Sequence, residues 1–467
     1  MNKYYCLIPE NLSIEKMIKN SKPNFIYNTD YFYWIVSQII TRSTYRLDSE
    51  EKNEWISMCA EIMKKQPYSY RNHLRYLCSN FKKMDKVLLR KDFTTGRCYS
   101  YKLTAKYFNS KVKIYEIKDK NIIKHKRKIS KGKMVTYNNK FKKRYEFLAK
   151  YFSSGELKID FKGAMKENNE LYKSSYNDPN EALKKQRLNA IQITAILNEE
   201  YNLAYNDKTD GRIHTVVTRL SKPLRKFMTY KGQKFGEIDI SSSVPTFLYF
   251  ILKEINKPNP GKIFSKVIIN NKSIKSNHYI FQKSFESPNT IEVSSFGKEI
   301  LEGTFYECFK KDVGEMHRYE KSLKKDQYIS ENVRRIFGRE FDGDLKDLKK
   351  VLKKQLLSMM NAKPKNYRVE QRMFHKHFPE ILKWINEFKK ENHKLFSYMM
   401  LQTESYFMLD LVARKINKKY SGKKTLFTLH DCILTTEDNL DLVYNLMQEI
   451  LETELSFTPK MTKELWS

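Results

Sequence analysis

The chain has 467 residues, of which 40% are hydrophobic and 13% aromatic, so it can form at least one large core and two or three domains. This composition excludes a disordered chain, and no apolar run is long enough to form a membrane-spanning helix. The 88 Lys and Arg residues exceed the 54 Asp and Glu residues, and the formal net charge is +34. That charge predicts a polyanionic partner, most commonly nucleic acid. A membrane surface and a merely solvated, lysine-rich surface are the alternatives.

The cysteines and the first residues predict the cellular compartment. The 6 cysteines form no C-x-x-C pair and have no His at zinc spacing. The opening "MNKYYCLIPENLSIEKM" lacks the apolar core of a signal peptide. We therefore expect a cytoplasmic protein with reduced cysteines, no structural zinc and no membrane partner.

The N-terminal part of the chain has helical apolar spacing followed by a hairpin pattern. Apolar residues recur at helical intervals between residues 30 and 65 and again in "SYRNHLRYLCSNF". The next stretch, "DKVLLRKDFTTGRCYSYKL", alternates around a "TTGR" turn, which predicts a β-hairpin. Helices followed by a basic hairpin are typical of a winged helix, in which Arg71, Arg75 and Arg97 would contact nucleic acid. An ordinary helical bundle with a surface hairpin is the alternative.

The densest basic run lies at residues 118–148 and contains "KDKNIIKHKRKISKGKMVTYNNKFKKRYEF". We interpret it as a linker or an exposed phosphate-binding arm. Helical segments follow to about residue 200, and the clearest places Leu188, Ile191 and Ala195 on one face. The sequence therefore predicts a basic N-terminal nucleic-acid-binding domain at 1–117, then a basic linker and a helical segment.

Beyond residue 201 the pattern changes to short strands and turns. The stretch "GEIDISSSVPTFLYFIL" places Asp239 at the end of a strand that leads into an apolar helix. Strand alternation puts Ile238 and Ile240 on one face, with Glu237 and Asp239 on the other. A single aspartate in this position is also a common turn or capping residue.

A second aspartate, Asp431, lies far downstream in "TLFTLHDCILTT", where two short apolar strands flank His430–Asp431. This pattern predicts a hairpin tip, where Asp is also a common structural residue. Two aspartates on adjacent strands can hold two divalent cations about 4 Å apart, which activate a 3′-hydroxyl and neutralise an incoming triphosphate. Carboxylates are the ligands that hard cations such as Mg²⁺ prefer.

A lysine-rich helix is predicted in "DLKDLKKVLKKQLLSMMNAK". Its cationic side chains could hold the pyrophosphate that leaves during nucleotide transfer. They are Lys346, Lys349, Lys350, Lys353 and Lys354. A solvated amphipathic surface helix is the alternative.

Taken in order, these stretches resemble the palm and fingers of family A DNA polymerases and phage-type single-subunit RNA polymerases, which share one fold. "DGRIHTVVTRLSKPLRKFM" resembles the Gly-Arg segment before the first catalytic motif, and "EIDISSS" resembles motif A. "KKVLKKQLLSMMNA" resembles motif B, "LQTESYFML" the Gln-bearing helix, and "TLHDCI" motif C. The resemblance covers roughly residues 205–467.

The resemblance implies a role for each matching residue. Asp239 and Asp431 would be the catalytic metal ligands, assisted by the backbone of Ile240. The nucleotide would be bound by Arg212, Ser241 and the lysines of motif B, either Lys349 with Lys353 or Lys350 with Lys354. Template, primer or nucleotide would be contacted by Arg219, Arg225, His430 and Gln402. The implied cofactor is two Mg²⁺ ions, with Mn²⁺ as an alternative, and the implied partners are a DNA or RNA template, a primer and nucleoside triphosphates.

The chain also departs from the family pattern. Where DNA-making members carry a Glu in motif A, this chain has Val244–Pro245. Motif B ends in Asn361–Ala362 rather than Tyr-Gly. The choice between dNTP and NTP therefore stays open.

We predict an α+β protein with an antiparallel palm sheet and helical fingers at 205–467, thumb-like helices at 149–204, and a basic, mainly helical N-terminal domain. The predicted function is template-directed nucleotide transfer, DNA synthesis being favoured over RNA synthesis, for replication of a phage, plasmid or other mobile element. The alternatives are a non-catalytic nucleic-acid-binding replication or defence protein with a degenerate palm, and a two-metal nuclease.

Overall fold

The computed structural model describes residues 3–48, 54–79, 86–91, 98–131, 135–174, 179–259, 261–264, 287–310, 312, 325–337, 340, 345–390 and 392–467. These residues form a mixed α+β fold with mainly antiparallel strand pairs, which confirms the α+β part of the predicted fold class. The chain divides into two compact units. The first comprises Met1–Tyr137, Phe152–Leu203 and Thr215–Gly232, and the second Asn138–Tyr151, Ala204–His214 and Gln233–Ser467.

The strands of the described residues are short, and most belong to antiparallel pairs. They are β1 Tyr4–Pro9, β2 Ile56–Ser57, β3 Leu88–Lys91, β4 Ser100–Leu103, β5 Val112–Ile117, β6 Val135–Tyr137, β7 Leu157–Ile159, β8 Tyr201–Tyr205, β9 Ile213–His214, β10 Met228–Tyr230, β11 Gln233–Ile240, β12 Phe427–Leu429, β13 Cys432–Thr436 and β14 Met461–Leu465.

Helices make up most of the rest. They are α1 Ile14–Asn20, α2 Thr29–Asp48, α3 Ala60–Lys64, α4 Tyr70–Leu77, α5 Ala105–Phe108, α6 Lys120–Lys131, α7 Asn139–Ser153, α8 Phe161–Ser174, α9 Pro179–Asn198, α10 Val216–Arg219, α11 Lys222–Arg225, α12 Ser243–Ile255, α13 Lys262–Phe264, α14 Thr290–Glu302, α15 Lys325–Phe337, α16 Leu345–Asn361, α17 Arg368–His377, α18 Pro379–Phe388, α19 Lys394–Ser405, α20 Arg414–Lys419 and α21 Leu440–Leu455. A π-helix spans Tyr406–Ala413, and a 3₁₀ turn spans Glu437–Asn439.

The core of the first unit forms around the β1–β5 pair. These strands are antiparallel, with Tyr4 opposite Ile117, and helices α2 and α9 pack on β1. Helix α2 is buried along most of its length, with Phe32 and Ile35 fully buried. Strands β7 and β10 form a second antiparallel pair in this unit.

A smaller group of elements in the first unit follows the order α2, β2, α3, α4, β3, β4. Strand β4 lies between β2 and β3 in an antiparallel sheet. The predicted hairpin is therefore present in its strands, although its "TTGR" tip and Arg97 lie outside the described residues. Arg71 and Arg75 are exposed on α4, one turn apart. His73 between them is fully buried and bonds to the backbone of Asn28 and Ser69.

The basic segment that we predict as a linker at 118–148 is largely regular structure. It contains α6, β6 and the start of α7. Strand β6 pairs in parallel with β8, Val135 lying opposite Tyr201. Lys and Arg favour helices about as well as other unbranched residues, so a dense basic run does not exclude a helix.

The second unit is built on a sheet in the order β12, β13, β11, β14, antiparallel throughout. Strand β11 is central, and its Ile238 and Ile240 are buried as the alternation predicts, while Phe235 is buried on the opposite face, which also carries Glu237 and Asp239. Gly236 allows the start of α21 to approach β11, because a Cβ atom at this position would lie 2.6 Å from the Leu440 side chain. The predicted order of strand, tight turn, strand and helix at the C-terminal end is therefore present, and β14 adds a strand that we did not predict.

Candidate functional site

Strand pairing brings the two predicted aspartates of the second unit together. Asp239 lies opposite Cys432 in the β11–β13 register, and Asp431 is the residue just before Cys432. The Cys432 sulfur is 3.2 Å from Asp239 Oδ1 and 3.6 Å from Asp431 Oδ1. Because both oxygens lie this close to the same sulfur atom, the two carboxylate groups are near neighbours. Asp239 and Asp431, far apart in sequence, belong to one cluster.

A tight turn holds Asp431 at the tip of the β12–β13 hairpin. Leu429 pairs with Cys432, which leaves His430 and Asp431 as a two-residue loop. His430 has a φ of 58°, the left-handed conformation that two-residue hairpin loops commonly require at their first position. A non-glycine residue adopts this conformation at a cost of about 1 kcal/mol, so the surrounding fold must hold the turn in place.

The turn after β11 supplies a hydroxyl group to the same cluster. Ser242 also adopts a left-handed conformation, with φ 55°, and α12 begins at the next residue. The Ser243 Oγ atom lies 3.0 Å from Asp431 Oδ2 and 3.0 Å from Glu404 Oε2. Because one hydroxyl hydrogen serves one acceptor at a time, Ser243 links two acidic side chains without neutralising either.

Glu404 and Arg212 form a buried ion pair beside these carboxylates. Arg212 donates from Nε and Nη2 to Glu404 Oε1, at 3.0 and 2.5 Å. The Glu404 side chain is 1% exposed and that of Arg212 is 21% exposed. Burial raises the pKa of Glu404 to about 7, while Arg212 opposes this rise and Asp431 adds to it. Arg212, predicted as a nucleotide ligand, is thus engaged by an acidic partner within the site.

Glu237 is a further carboxylate of the cluster, two residues before Asp239 on the same face of β11. It is buried and accepts a hydrogen bond of 2.8 Å from Trp466 Nε1. Its other oxygen lies 3.5 Å from the Cys432 sulfur. The ligand atoms of Glu237, Asp239 and Cys432 all lie within 4.8 Å of one another, so these three residues are a group that could hold a metal ion.

Burial and neighbouring negative charges raise the pKa values of acidic groups in the cluster. Burial and then the neighbouring Asp431 raise the pKa of Asp239 to about 6, while Lys353 lowers it. Burial and then Asp431 raise the pKa of the Cys432 thiol far above its usual value, so this residue stays protonated. The carboxylates, rather than the sulfur, are therefore the ligands that the site offers to a hard cation.

His430 is neutral at physiological pH. Burial lowers its pKa to about 4, and the nearby Arg212 contributes to the shift. Its Nδ1 atom is buried and has no hydrogen-bond partner among the described residues. The ring of His214, 6.3 Å away, is bound instead to Asp210 through a 3.1 Å contact.

The predicted lysine helix is α16, and its lysines differ in their partners. Lys349 forms an ion pair with Glu307 at 2.8 Å, and Lys350 pairs with the buried Asp347 at 3.5 Å. Lys353 is exposed and lies close enough to Asp239 to lower the pKa of that carboxyl group. Lys354 is exposed as well. The charge of Lys353 therefore acts on Asp239, and the side chain of Lys346 lies outside the described residues.

Two side chains of the Gln-bearing helix α19 form hydrogen bonds with the backbone of the loop that carries Arg212. Gln402 Nε2 donates to Thr209 O at 2.7 Å, and Ser405 Oγ donates to Gly211 O. Gly211 has a φ of 65°, and a Cβ atom there would lie 3.3 Å from Gln402 Cγ. The side-chain amide of Gln402, predicted to contact nucleic acid, is therefore engaged by the backbone of this loop.

Two further predicted site residues lie at the end of β11: Ile240, whose backbone is the predicted metal contact, and Ser241, a predicted nucleotide ligand. Ser241 N–H donates to Lys460 O at 2.8 Å. Successive residues of an antiparallel strand direct their backbone groups to opposite neighbours, so the carbonyl of Ile240 faces the side of β13, where Asp431 lies. Ser241 is half-buried beside this position.

Arg219 and Arg225 belong to the first unit rather than to this cluster. Arg219 is exposed, and Arg225 Nε donates to Leu220 O at 3.0 Å. Sequence reasoning missed Glu404, Ser243 and Cys432 as members of the site. Glu237 shared the polar face of the strand with Asp239, so alternation could have identified it.

Comparison of the chain with models of known protein families and with curated proteins gave no match. None of the helices within the described residues combines the length and the apolar character needed to cross a membrane.

Proposed function

We propose that the chain is a template-directed nucleotidyltransferase whose second unit holds two divalent cations at Asp239 and Asp431. The observation that carries the proposal is that both carboxylates lie next to the Cys432 sulfur. One lies at the end of a central strand and the other at the tip of the adjacent hairpin. The resemblance to motifs A and C predicts this arrangement for residues so far apart in sequence.

The composition of the cluster supports a divalent cation. Glu237, Asp239 and Asp431 surround one neutral thiol, and the pKa of Asp239 is raised because the site is buried and its neighbours are acidic. Oxygen ligands of this kind favour Mg²⁺ or Mn²⁺. When bound, two such ions would lower the pKa of a primer 3′-hydroxyl and neutralise the triphosphate.

The surrounding residues of the chain have distinct tasks in this proposal. Ser243 orients Asp431, and Glu404 holds Arg212 beside the cluster. Lys353 is the candidate ligand of the triphosphate because its charge already acts on Asp239. This favours the register in which Lys349, one turn earlier on α16, is the second lysine.

The first unit would bind duplex nucleic acid. The order α2, β2, α3, α4, β3, β4, with β4 central in its sheet, supports the winged-helix expectation. Arg71 and Arg75 occupy the exposed face of α4, the helix that such folds place in a groove. The excess of basic residues supplies the sequence-independent part of the affinity. A DNA template and a cytoplasmic location remain predictions.

Extension of a labelled primer–template and of bare template tests the proposal. Wild type, Asp239→Asn and Asp431→Asn are each incubated with dNTPs or NTPs and with Mg²⁺ or Mn²⁺. Asp441→Asn is the matched control, because this side chain is 78% exposed and pairs only with Lys463 among the described residues. We expect wild type and the control to extend primers, and each site variant to lose at least about 10³-fold in rate, since each removes a metal ligand.

Each outcome has a distinct meaning. Products with dNTPs alone would identify a DNA polymerase, and products with NTPs on bare template would identify a primase or RNA polymerase. Equal extension by Asp239→Asn and wild type would refute the metal-site assignment. No product in any condition, with tight DNA binding retained, would favour the non-catalytic binding protein.

A further inference from the structure

Two cysteines of the first unit lie opposite each other on neighbouring strands. The antiparallel register of β2 and β4 continues past the end of β2, where Met58 N–H donates to Tyr99 O at 3.1 Å. One residue further along, the same register places Cys59 opposite Cys98. Cys98 lies close enough to Cys59 for its thiol group to contribute to a lowered pKa of the Cys59 thiol.

The cysteines occupy the kind of cross-strand position in which side chains are closest. Because the Met58–Tyr99 pair is hydrogen-bonded, the pairs on either side of it are not. In one of these pairs, Ser57 Oγ and Ser100 Oγ are 3.0 Å apart. The other is the cysteine pair, on the same face of the sheet. The Cα atoms of such pairs are about 4.5 Å apart, within the range of about 4.4 to 6.8 Å that a disulfide spans.

We propose that Cys59 and Cys98 form a redox-active pair, which a low-molecular-weight disulfide converts into an intrachain disulfide joining β2 to β4. The Cys59 thiolate attacks one sulfur of the oxidant, which forms a mixed disulfide and releases one thiolate. Cys98 then loses its proton and attacks the Cys59 sulfur, which forms the intrachain bond and releases the second thiolate. The two protein thiols are oxidised, and the small disulfide is reduced to two thiols.

The environment of Cys59 suits it to the attacking role. Cys59 is the N-cap residue of α3, and the backbone of Ile62 and then of Glu61, in the first turn of this helix, lowers the pKa of its thiol. Cys98 is exposed, so an oxidant can reach the pair. The other thiols of the chain are less reactive, because burial raises the pKa of Cys6, Cys78, Cys308 and Cys432.

The bond would close a loop that contains the elements expected to bind nucleic acid. Helices α3 and α4 and strand β3 all lie between Cys59 and Cys98. Oxidation would therefore restrain the helix that carries Arg71 and Arg75 against the base of the hairpin. This consequence rests on the proposed nucleic-acid binding, whereas formation of the disulfide does not.

Peptide mapping of the full-length protein tests the pair. Wild type, Cys59→Ser, Cys98→Ser and the control Cys78→Ser are treated with glutathione disulfide, and the remaining thiols are alkylated before digestion. We expect wild type and Cys78→Ser each to lose two thiols and to yield one cross-linked peptide that joins Cys59 to Cys98. Cys59→Ser and Cys98→Ser should not form that peptide, and reduction should restore both thiols in wild type.

Three results would overturn the proposal. They are retention of all thiols by wild type, dimers linked through Cys98 as the main product, and loss of two thiols in Cys59→Ser. DNA binding by oxidised and reduced protein is measured separately on a labelled duplex, where we expect at least a threefold change in affinity in wild type and none in Cys59→Ser. A mapped disulfide without this change would leave the redox pair intact and would refute only its link to nucleic-acid binding.

Discussion

Lys389 offers a sharp test of the packing beneath the lysine helix. It follows α18, is 2% exposed, and donates from Nζ to Met359 O at 2.9 Å, in the last turn of α16. Burial lowers its pKa to about 8, and no carboxylate of the described residues pairs with it. The cation supports the carbonyl end of the helix that carries Lys353, but it does so at a cost in desolvation. Lys389→Met should remove both effects.

The pKa shift sets the size and the sign of the change in stability. An unfolded lysine has a pKa of about 10.4, so lowering it to about 8 corresponds to roughly 3 kcal/mol lost from the folded state below pH 8. The lost hydrogen bond offsets about 1 kcal/mol of the gain. Lys389→Met should therefore be about 2 kcal/mol more stable than wild type at pH 7.

The advantage should vanish at high pH. Between the two pKa values the unfolded chain binds more protons than the folded chain, so the stability of wild type rises with pH through this window. Above about pH 10.4 the lysine is neutral in both states, and only the hydrogen bond distinguishes the proteins. The variant should then be about 1 kcal/mol less stable than wild type.

Urea unfolding at pH 7 and at about pH 11 measures both differences. Lys390→Met is the matched control: it is the next residue, its side chain is 68% exposed, and it pairs with Glu387. The control should stay within about 0.5 kcal/mol of wild type at neutral pH. A Lys389→Met variant that is less stable than wild type at pH 7, or a difference that does not change with pH, would refute the reasoning.

Further predictions concern the site and the charge of the protein. Glu404→Gln should lower the free energy of unfolding by about 3 kcal/mol, because it leaves Arg212 without its buried ionic partner. Adding Arg212→Gln should recover part of that loss. Urea unfolding of the single and double variants measures these free energies, and strictly additive losses would contradict the prediction. Gly211→Ala should cost about 2 kcal/mol, from a φ of 65° and from contact with Gln402. Gly232→Ala is its control, having φ 76° but open space around the position, and it should cost about 1 kcal/mol; equal losses would exclude a packing role for Gly211. DNA affinity should fall by about 10³-fold between 50 and 200 mM salt if six or more phosphates are neutralised, as a salt titration of binding would measure; a flat titration would refute the electrostatic interpretation.

Local patterns in the sequence were enough to predict several elements of the candidate site. Alternation predicted β11 with Asp239 near its end, and the two short apolar runs predicted the hairpin around Asp431. Helical spacing predicted α16 and its lysines. These features depend on the periodicity of residues that are close in sequence, so the chain displays them before any tertiary contact exists.

The basic segment at 118–148 and the strand β14 show where local patterns were insufficient. Lysine-rich sequence is compatible with a helix, a strand edge or a linker, and only the pairing of β6 with β8 and the packing of α6 distinguish these cases. Strand β14 has three exposed positions in a row, so it lacks the alternation of a buried strand. Its pairing with β11 gives it its conformation.

The sequence by itself determined the excess of positive charge, the α+β class and the local settings of Asp239 and Asp431. Only the tertiary structure decided that these two carboxylates share a cluster with Glu237, that Glu404 binds Arg212, and that Cys59 faces Cys98. Each of these contacts depends on strand register and on the packing of one element against another element that is distant in the sequence. A shift of one residue in the register would turn Asp239 to the opposite face of the sheet, which is why no local pattern could specify the site.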